Sequence, residues 1–323
     1  MTVVCSSISL DASKTKYKNC RLKYIPLKAN GWQSILFDIV SLYKTCKKFD
    51  KVLILGCSGS IAQPFFFGYK HKFIMNLGGL DWKRSKWSYL TRKYLKFSEK
   101  LAVLYSGFLI SDNQGISDYL QKEYERDSFL IAYGGDQAFK VTPSENDFKK
   151  YPFLTQPYAF TVARIQPDNN IELLLESFND HSIMPFVFVG NWKKSSYGID
   201  VYKKYQGRKN LILLDAIYDQ TELNLIRSNC KIYLHGHSAG GTNPALVEAM
   251  SLTLPIVAFD CVFNRYTTNS EAVYFSTSKG LNTIIENVSE NELNNNANCM
   301  IGLANTHYKW ENIANLYSNV LDQ

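Results

Sequence analysis

The sequence predicts an α/β protein with two domains, each built on a doubly wound parallel sheet. The chain has 323 residues, and about 100–200 residues per domain is usual. Short apolar runs recur along the chain without alternating polar residues, which is typical of parallel strands buried on both faces. Longer stretches with helical periodicity separate these runs. Regular alternation of strands and helices indicates parallel α/β sheets.

The predicted strands share this buried pattern and lie at residues 51–55, 72–77, 108–111, 129–132, 159–163, 185–189, 211–214, 231–234 and 255–259. The predicted helices lie at residues 33–48, 86–105, 114–124, 171–178, 220–228, 245–252 and 308–321. A polar stretch without a clear period, residues 141–156, separates the two halves. We therefore predict Rossmann-like domains at residues 1–150 and 151–305, followed by a closing helix at 306–323.

Composition and charge are those of a soluble globular protein. Hydrophobic residues make up 46% of the chain and charged residues 20%, which excludes a disordered chain, a coiled coil and a collagen-like repeat. Lys and Arg number 36 against 29 Asp and Glu. An excess this small permits an acidic partner, such as a phosphate or an anionic membrane, without requiring one.

Cysteine usage and the lack of a long apolar run predict a cytoplasmic protein. The 7 cysteines form no C-x-x-C pair and are odd in number, so we expect neither a zinc site nor a disulfide framework. No apolar run approaches the roughly 20 residues that a membrane-spanning helix needs. The first residues lack the features of a signal peptide and are predicted to form a strand.

Small, polar and charged residues follow the predicted strands. They lie at residues 56–60, 78–81, 112–113, 134–135, 164, 190–192 and 235–237. In open α/β sheets, ligands bind outside the carboxyl ends of the strands. These residues therefore predict a binding cleft.

The segment at residues 235–250 carries the most information about ligand binding. Gly240 and Gly241 lead into Thr242, Asn243 and Pro244. Asn is a favoured N-cap and Pro a favoured first helical residue, so a helix is expected to begin at Pro244. A glycine-rich loop before a helix N-terminus favours anion binding, because free N–H groups and the positive dipole end face the ligand.

Two charged residues are candidates for direct contact with a nucleotide. Glu248 lies among apolar helical residues, where an unpaired carboxylate is costly. It could bind a pair of ribose hydroxyls, or it could lie on an exposed stripe or pair with a basic neighbour. Arg164 ends a predicted strand and could bind a diphosphate through two parallel hydrogen bonds, or form an ion pair between the domains.

His235 and His237 flank Gly236 at another strand end. This spacing allows a metal pair, but no acidic or Cys companion is placed to complete a site. Local hydrogen bonding, or contact of His237 with the phosphates or sugar of a donor, is the other interpretation.

A basic stretch at residues 83–100 interleaves Lys and Arg with aromatic residues. Such a helix could pack its aromatic side chains inward, or it could lie on an anionic membrane surface. We expect no nucleic acid partner, since no known reader motif accompanies the charge.

Several segments together resemble a known family. They are residues 76–87, 111–116, 131–135, 162–170 and 235–250. With them the chain resembles the retaining glycosyltransferases of family four, which have the GT-B fold. More narrowly, it resembles the rhamnosyltransferase-like subgroup of capsule and O-antigen clusters.

The resemblance implies roles for individual residues. Arg164 would hold the donor diphosphate, Glu248 the ribose, and the loop at residues 240–243 would lie against the phosphates. At the neighbouring strand ends, Asn169 and Asn191 complete the predicted donor site together with His237.

The chain departs from the family pattern at several of these positions. Asn169 stands where the family has a lysine, and Gly240 where it has a first glutamate. In the first domain, Gly78 replaces an Asp of the subgroup and Asp81 a Glu. We expect Asp81 and Asp112 to contact the acceptor.

Family members open with a strand and a loop resembling G-x-R-G-x-P-x-x-Y-G-G, and this sequence has no such segment. Its Met1 coincides with the second strand of the family. The resemblance thus predicts that the first strand is missing, that an apolar sheet edge is exposed, and that the polypeptide is poorly stable or inactive.

The predicted function is transfer of rhamnose or another hexose from a nucleotide-diphosphate donor to a lipid-linked glycan in bacterial surface polysaccharide synthesis. The reaction is expected to retain the anomeric configuration and to need no metal or cofactor besides the donor substrate. Contact with the inner face of the cytoplasmic membrane is a further expectation. Two alternatives remain: a non-catalytic remnant that binds nucleotide sugars, and a two-domain nucleotide-sugar epimerase.

Overall fold

The computed structural model describes residues 1–8, 10–84, 87–178 and 182–323. The described strands are β1 (Thr2–Ser6), β2 (Lys16–Tyr17), β3 (Cys20–Ile25), β4 (Val52–Leu55), β5 (Phe73–Leu77), β6 (Phe108–Ser111), β7 (Phe129–Leu130), β8 (Ala159–Val162), β9 (Phe186–Val189), β10 (Leu211–Leu214), β11 (Ile232–His235), β12 (Ile256–Phe259) and β13 (Val273–Phe275).

The described α-helices are α1 (Gln33–Thr45), α2 (Tyr89–Leu104), α3 (Gln114–Tyr124), α4 (Glu145–Lys150), α5 (Ile171–Glu176), α6 (Ser196–Tyr205), α7 (Gln220–Ser228), α8 (Pro244–Ser251), α9 (Val262–Thr267), α10 (Ser278–Asn287), α11 (Glu290–His307) and α12 (Trp310–Leu321). Short 3₁₀ segments connect several of these elements, including Ser60–Lys72 and Asp81–Lys83.

Two parallel sheets form the centres of the two halves, as the sequence predicts. The first half contains a four-stranded sheet in the order β4-β5-β6-β7, and the second a six-stranded sheet in the order β10-β9-β8-β11-β12-β13. Every neighbouring pair in both sheets is parallel. The predicted α/β fold class is confirmed. The exact domain boundaries stay a prediction.

The predicted strand at the start of the chain is confirmed as β1. It pairs in parallel with β3, and β2 pairs with β3 in antiparallel fashion, so these strands form a separate small sheet. On β4, Leu53 is 40% and Leu55 74% exposed. The predicted loss of a family strand stays a prediction.

The closing helix packs on the first domain rather than the second. Ile313 and Val320 of α12 form a hydrophobic cluster with Ile74 and Ile110 of the four-stranded sheet and with Ile131, which follows β7. Burial of these side chains holds α12 against the sheet. The last helix therefore adds its side chains to the binding face of the first domain.

Helix α2, at Tyr89–Leu104, is shorter than the helix predicted at residues 86–105. Ser88 caps α2 by accepting a hydrogen bond from the Thr91 backbone N–H. Lys86, which the prediction placed in this helix, lies outside the described residues, as does Ser85 of the same resembling segment. Across the part of the chain that the structure describes, no helix is both long and apolar enough to cross a membrane.

Candidate active site

The two halves meet at the carboxyl ends of their strands. Gly79, which follows β5, approaches Gly240 so closely that a Cβ on Gly79 would stand 3.4 Å from the Gly240 Cα. At Gly241, a Cβ would stand 1.7 Å from Oδ1 of Asp112, which follows β6. The loop before α8 therefore rests directly on the first domain, and residue 241 has no space for a side chain.

The predicted helix start after this loop is confirmed. Helix α8 begins at Pro244, and the side chain of Asn243 accepts a hydrogen bond from the Ala245 N–H at 3.0 Å. The Thr242 hydroxyl is buried, with its Oγ1 3.3 Å from Nδ2 of Asn113. The positive end of the helix dipole thus faces the junction between the halves.

The loop after β8 packs against the loop after β11. The Ser238 N–H donates to the Asp168 carbonyl at 3.0 Å. The buried side-chain amide of Asn169 donates to the Arg164 carbonyl at 2.6 Å. Asn169 therefore fixes the backbone that carries Arg164, and its predicted contact with a donor stays a prediction.

Arg164 is exposed at this junction. Within the described ranges, no ion pair of the protein includes Arg164. The sequence left open that Arg164 forms an ion pair between the domains, and the described residues supply none. Its guanidinium has room for an anionic ligand.

The two histidines lie in an electropositive environment. The rings of His235 and His237 stack with centroids 4.5 Å apart. Burial, together with the positive charges of Arg164 and Arg84, lowers the pKa of His237 to about 3. Burial also lowers the pKa of His235 well below its usual value. Both imidazoles are therefore neutral near pH 7, and the surrounding field favours an anion.

The described residues place no further metal ligand beside His235 and His237. Among the residues that the structure describes, no three or more His, Cys, Asp or Glu side chains are grouped so that they could hold a metal ion.

Asp112 is a buried carboxyl at the contact between the halves. Its exposed fraction is 1%. Burial raises its pKa to about 7, although hydrogen bonds from the Thr242 backbone N–H and the Tyr133 hydroxyl oppose this rise. The contact of Asp112 with an acceptor, expected from the sequence, stays a prediction.

Glu248 is paired in the structure. Its carboxylate forms an ion pair with Arg227 and accepts a hydrogen bond at 2.6 Å from the side chain of Gln137. Arg227 is fully buried and also donates to Oδ1 of Asn224 at 2.7 Å. The pairing with a basic neighbour that the sequence left open is therefore present. Binding of ribose by Glu248 stays a prediction.

Asn191 lies beside the loop that carries Arg164. It follows β9 directly after Gly190, where a Cβ would stand 3.0 Å from the Ala163 carbonyl oxygen and 2.4 Å from Cδ1 of Ile165. The fold thus brings Asn191 to the predicted strand-end cluster. Its contact with a donor stays a prediction.

A cavity of about 410 Å³ opens at the carboxyl ends of β4 and β5. Its lining includes Asn76, Asp81 and Tyr133, and two side chains of α12, Trp310 and Tyr317. The Asn76 amide donates to the Tyr317 hydroxyl at 2.8 Å. Polar groups and aromatic faces together suit a carbohydrate, which offers hydroxyls and apolar C–H surfaces.

Sequence reasoning missed several residues of this region. The charge pattern assigns Arg84 to the basic helix, but the N-cap at Ser88 separates Arg84 from α2. Tyr133, Trp310 and Arg227 come together with the predicted residues through tertiary packing alone. Of these, Arg84 could have been noticed from its position three residues after Asp81, since this spacing permits an ion pair.

The fold defines the class of protein. The structure has a TM-score of 0.77 to sucrose-phosphate synthase from Thermosynechococcus elongatus, at 14% identity and covering 95% of this chain and 84% of that one. It has a TM-score of 0.73 to Anabaena Alr3699/HepE in complex with UDP, at 14% identity and covering 94% and 86%. These likenesses show the GT-B fold, with two α/β domains.

Two protein families match parts of the sequence. Residues 143–273 match the family described as glycosyl transferases group 1, and residues 2–136 match a domain of unknown function, DUF1972. The second half of the chain is thus similar to the group 1 glycosyltransferases, and the first half is similar to DUF1972.

A curated relative also matches part of the chain. A probable sucrose-phosphate synthase of Thermosipho melanesiensis (strain DSM 12029 / CIP 104789 / BI429) is 26% identical over 178 residues, which is 50% of this chain and 41% of the relative. The matched segment thus spans less than half the length of that protein.

The raised pKa of Asp112 predicts a pH dependence of stability. The folded state keeps a proton on this carboxyl between about pH 4 and 7 whereas the unfolded chain releases it, so Asp112 makes stability fall as pH rises through this window. In Asp112→Asn this contribution is absent. We expect the loss of unfolding free energy from pH 4 to 8 to be smaller in the variant, by at most about 4 kcal/mol.

Urea unfolding at several pH values measures this difference. Asp38, whose pKa is raised to about 6 by burial, contributes equally to both proteins and cancels in the comparison. Identical pH profiles for the two proteins would contradict a desolvated Asp112.

Proposed function

We propose that the protein transfers rhamnose or another hexose from a nucleoside diphosphate donor to a lipid-linked glycan. The transfer retains the anomeric configuration and serves bacterial surface polysaccharide synthesis. The match of residues 143–273 to the group 1 glycosyltransferases supports glycosyl transfer. The observation that carries the proposal is the position of Arg164. Its charge acts on His237, which begins the segment leading to the N-terminus of α8, and it forms no ion pair among the described residues.

The chemistry requires that the departing diphosphate be stabilised. As the bond from the sugar to the phosphate breaks, negative charge grows on the phosphate oxygens. Arg164 and the N–H groups before Pro244 are positioned in advance, so they stabilise this charge without reorganising. These groups supply the positive charge that a metal ion supplies in other transferases, and we propose that no metal takes part.

Glu248 is proposed to bind the ribose of the donor. Arg227 and Gln137 already fix its carboxylate. An oriented carboxylate accepts hydrogen bonds from a ribose diol with little further loss of side-chain freedom. The similar Anabaena structure holds UDP, so UDP is the first nucleotide to test.

The cavity beside β4 and β5 is proposed to hold the acceptor. It adjoins Gly79, which faces Gly240 of the donor loop. A hydroxyl group of a sugar in this cavity would therefore lie near the donor. Asp81 and Tyr133 offer polar partners, and Trp310 offers an aromatic face to a sugar ring.

Helix α2 is proposed to contact an anionic membrane that carries the acceptor. Along one face, Leu90, Lys93, Phe97, Lys100 and Leu104 are all exposed. This stripe combines apolar side chains with lysines, whose charges can reach lipid headgroups. The protein would thus work at the inner face of the cytoplasmic membrane. On the opposite face of α2, Leu95 and Val103 are buried. Of the aromatic side chains that the other interpretation packs inward, Tyr89 and Phe97 are exposed.

Removal of Arg164 tests the donor site. The ligand for this test is UDP, GDP or dTDP, whichever the wild type binds. We expect Arg164→Ala to bind it about 10- to 100-fold more weakly, since hydrogen bonds to charged groups contribute about 1.5–3 kcal/mol. Isothermal titration calorimetry measures the dissociation constants. Arg208→Ala, which removes an exposed arginine, serves as the matched control and should bind as the wild type does.

The same proteins, incubated with nucleotide sugars and a lipid-linked acceptor, separate the alternatives. Transfer with an unchanged anomeric configuration, assigned by NMR coupling constants, supports the proposal. Donor binding without turnover on any acceptor would indicate the non-catalytic remnant. An altered sugar on the nucleotide without an acceptor product would indicate an epimerase.

Removal of metal ions tests the proposed electrostatics. We expect sugar transfer by the wild type to be unchanged by EDTA, because Arg164 and the α8 N-terminus neutralise the leaving group. Initial rates with EDTA, and with Mg²⁺ or Mn²⁺ added back, measure this. A rate that collapses with EDTA and recovers with one of the ions would show that the reaction depends on that metal.

Reversal of two charges tests the membrane surface. The double substitution Lys93→Glu and Lys100→Glu should weaken binding to phosphatidylglycerol-containing vesicles by about 10-fold or more, since each basic residue near such a surface contributes about 1 kcal/mol. Cosedimentation with these vesicles and with phosphatidylcholine vesicles measures the effect. Lys203→Glu on α6, also exposed, is the control. Equal binding by all three proteins would exclude α2 as the contact.

A further inference from the structure

Arg84 belongs to the first domain, yet it lies at the same junction as Arg164. We propose that Arg84 is a second cation of the diphosphate site, supplied to the donor by the DUF1972 domain. This role rests on the proposed function, because it requires a nucleoside diphosphate between the two domains. No residue of the first domain was predicted to touch the donor.

The backbone around Gly79 brings Arg84 to the donor loop. Nη2 of Arg84 lies 3.8 Å from the point where a Cβ on Gly79 would stand, and the Gly240 Cα lies 3.4 Å from the same point. Gly79 has a φ of +140°, a conformation that favours glycine. Without a side chain at this position, the guanidinium and the glycine-rich loop border one space.

The electrostatics of the junction agree with this placement. The positive charges of both Arg164 and Arg84 act on the imidazole of His237, together with its burial. Arg84 comes from the first domain and Arg164 from the second. His237 therefore marks a place where positive charge from both domains acts. An anion bound here would be attracted from two sides.

The local structure holds Arg84 in this position. Its Nε lies 2.8 Å from Oδ1 of Asp81, and only 16% of its side chain is exposed. The segment that carries Asp81 is itself fixed, because the indole N–H of the adjacent Trp82 donates to the buried carboxylate of Glu99 at 3.0 Å. The ion pair uses Nε of Arg84. The two terminal nitrogens, at the outer end of the guanidinium, are the atoms proposed to contact the diphosphate.

A diphosphate carries more than one negative charge, so a second cation would add to the stabilisation that Arg164 and the N-terminus of α8 offer. Asn169, at the place where the resembling family has a lysine, carries no charge and donates its amide to a backbone carbonyl. Arg84 restores a second cation from the opposite side. A guanidinium is suited to this task because it can donate two parallel hydrogen bonds to phosphate oxygens.

Substitution of Arg84 tests the proposal. In Arg84→Gln, binding of the nucleoside diphosphate that the wild type prefers among UDP, GDP and dTDP should weaken about 10- to 100-fold, while binding of the corresponding nucleoside, which has no phosphate, should change little. Arg84→Lys keeps a charge and should bind better than Arg84→Gln. Circular dichroism and thermal unfolding confirm that each variant is folded, and Arg208→Gln is the matched control.

Asp81→Asn separates a ligand role from a structural one. This variant removes the negative charge but keeps an Oδ1 that can accept a hydrogen bond from Nε, so Arg84 stays in place and nucleoside diphosphate binding should be unchanged or tighter. If Asp81→Asn weakens binding as much as Arg84→Gln, Arg84 acts through the ion pair and the proposal is wrong. If the wild type binds the diphosphate and Arg84→Gln binds it equally well, the proposal also fails, while the proposed function stands. If the wild type binds no nucleoside diphosphate, both fail.

Discussion

The contact between Gly241 and Asp112 fixes how the two domains meet. A Cβ at residue 241 would overlap the Asp112 carboxylate, so the loop before α8 can rest on the end of β6 only with a glycine there. This close approach also removes water from Asp112 and from Thr242 beside it. The position of the helix N-terminus relative to the first domain, and hence the geometry of the donor site, depends on this contact.

The charges around this contact favour an anion. Burial raises the pKa of Asp112 to about 7, so near neutral pH this carboxyl carries less negative charge than an ordinary aspartate. Glu248 is neutralised by Arg227, and both histidines are held in the neutral form. Asp81 offsets part of the charge of Arg84, so Arg164 remains as the cation of the junction that forms no ion pair among the described residues. The site is therefore electropositive although several carboxyl groups lie near it.

Local patterns predicted the framework of the site, and tertiary pairing decided its details. Buried apolar runs placed the strands of the two large sheets, and Asn243 with Pro244 placed the start of α8, because caps and strand burial are encoded within a few residues. The pairing of Glu248 with Arg227, from a different helix, and the approach of Arg84 to the donor loop depend on packing between distant segments. Helices α4, α6, α9, α10 and α11 were not predicted, although α10 buries Leu281 and Ile285 at helical spacing.

Asp81 connects the two halves of the proposed reaction. It lines the cavity proposed for the acceptor and at the same time pairs with Arg84. If a donor diphosphate draws the guanidinium of Arg84 toward itself, the Asp81 carboxylate loses part of its partner's charge and becomes a better hydrogen-bond acceptor. A sugar hydroxyl in the cavity could then donate to it. Donor binding would in this way favour acceptor binding, because both substrates act on one ion pair and any coupling between them is reciprocal.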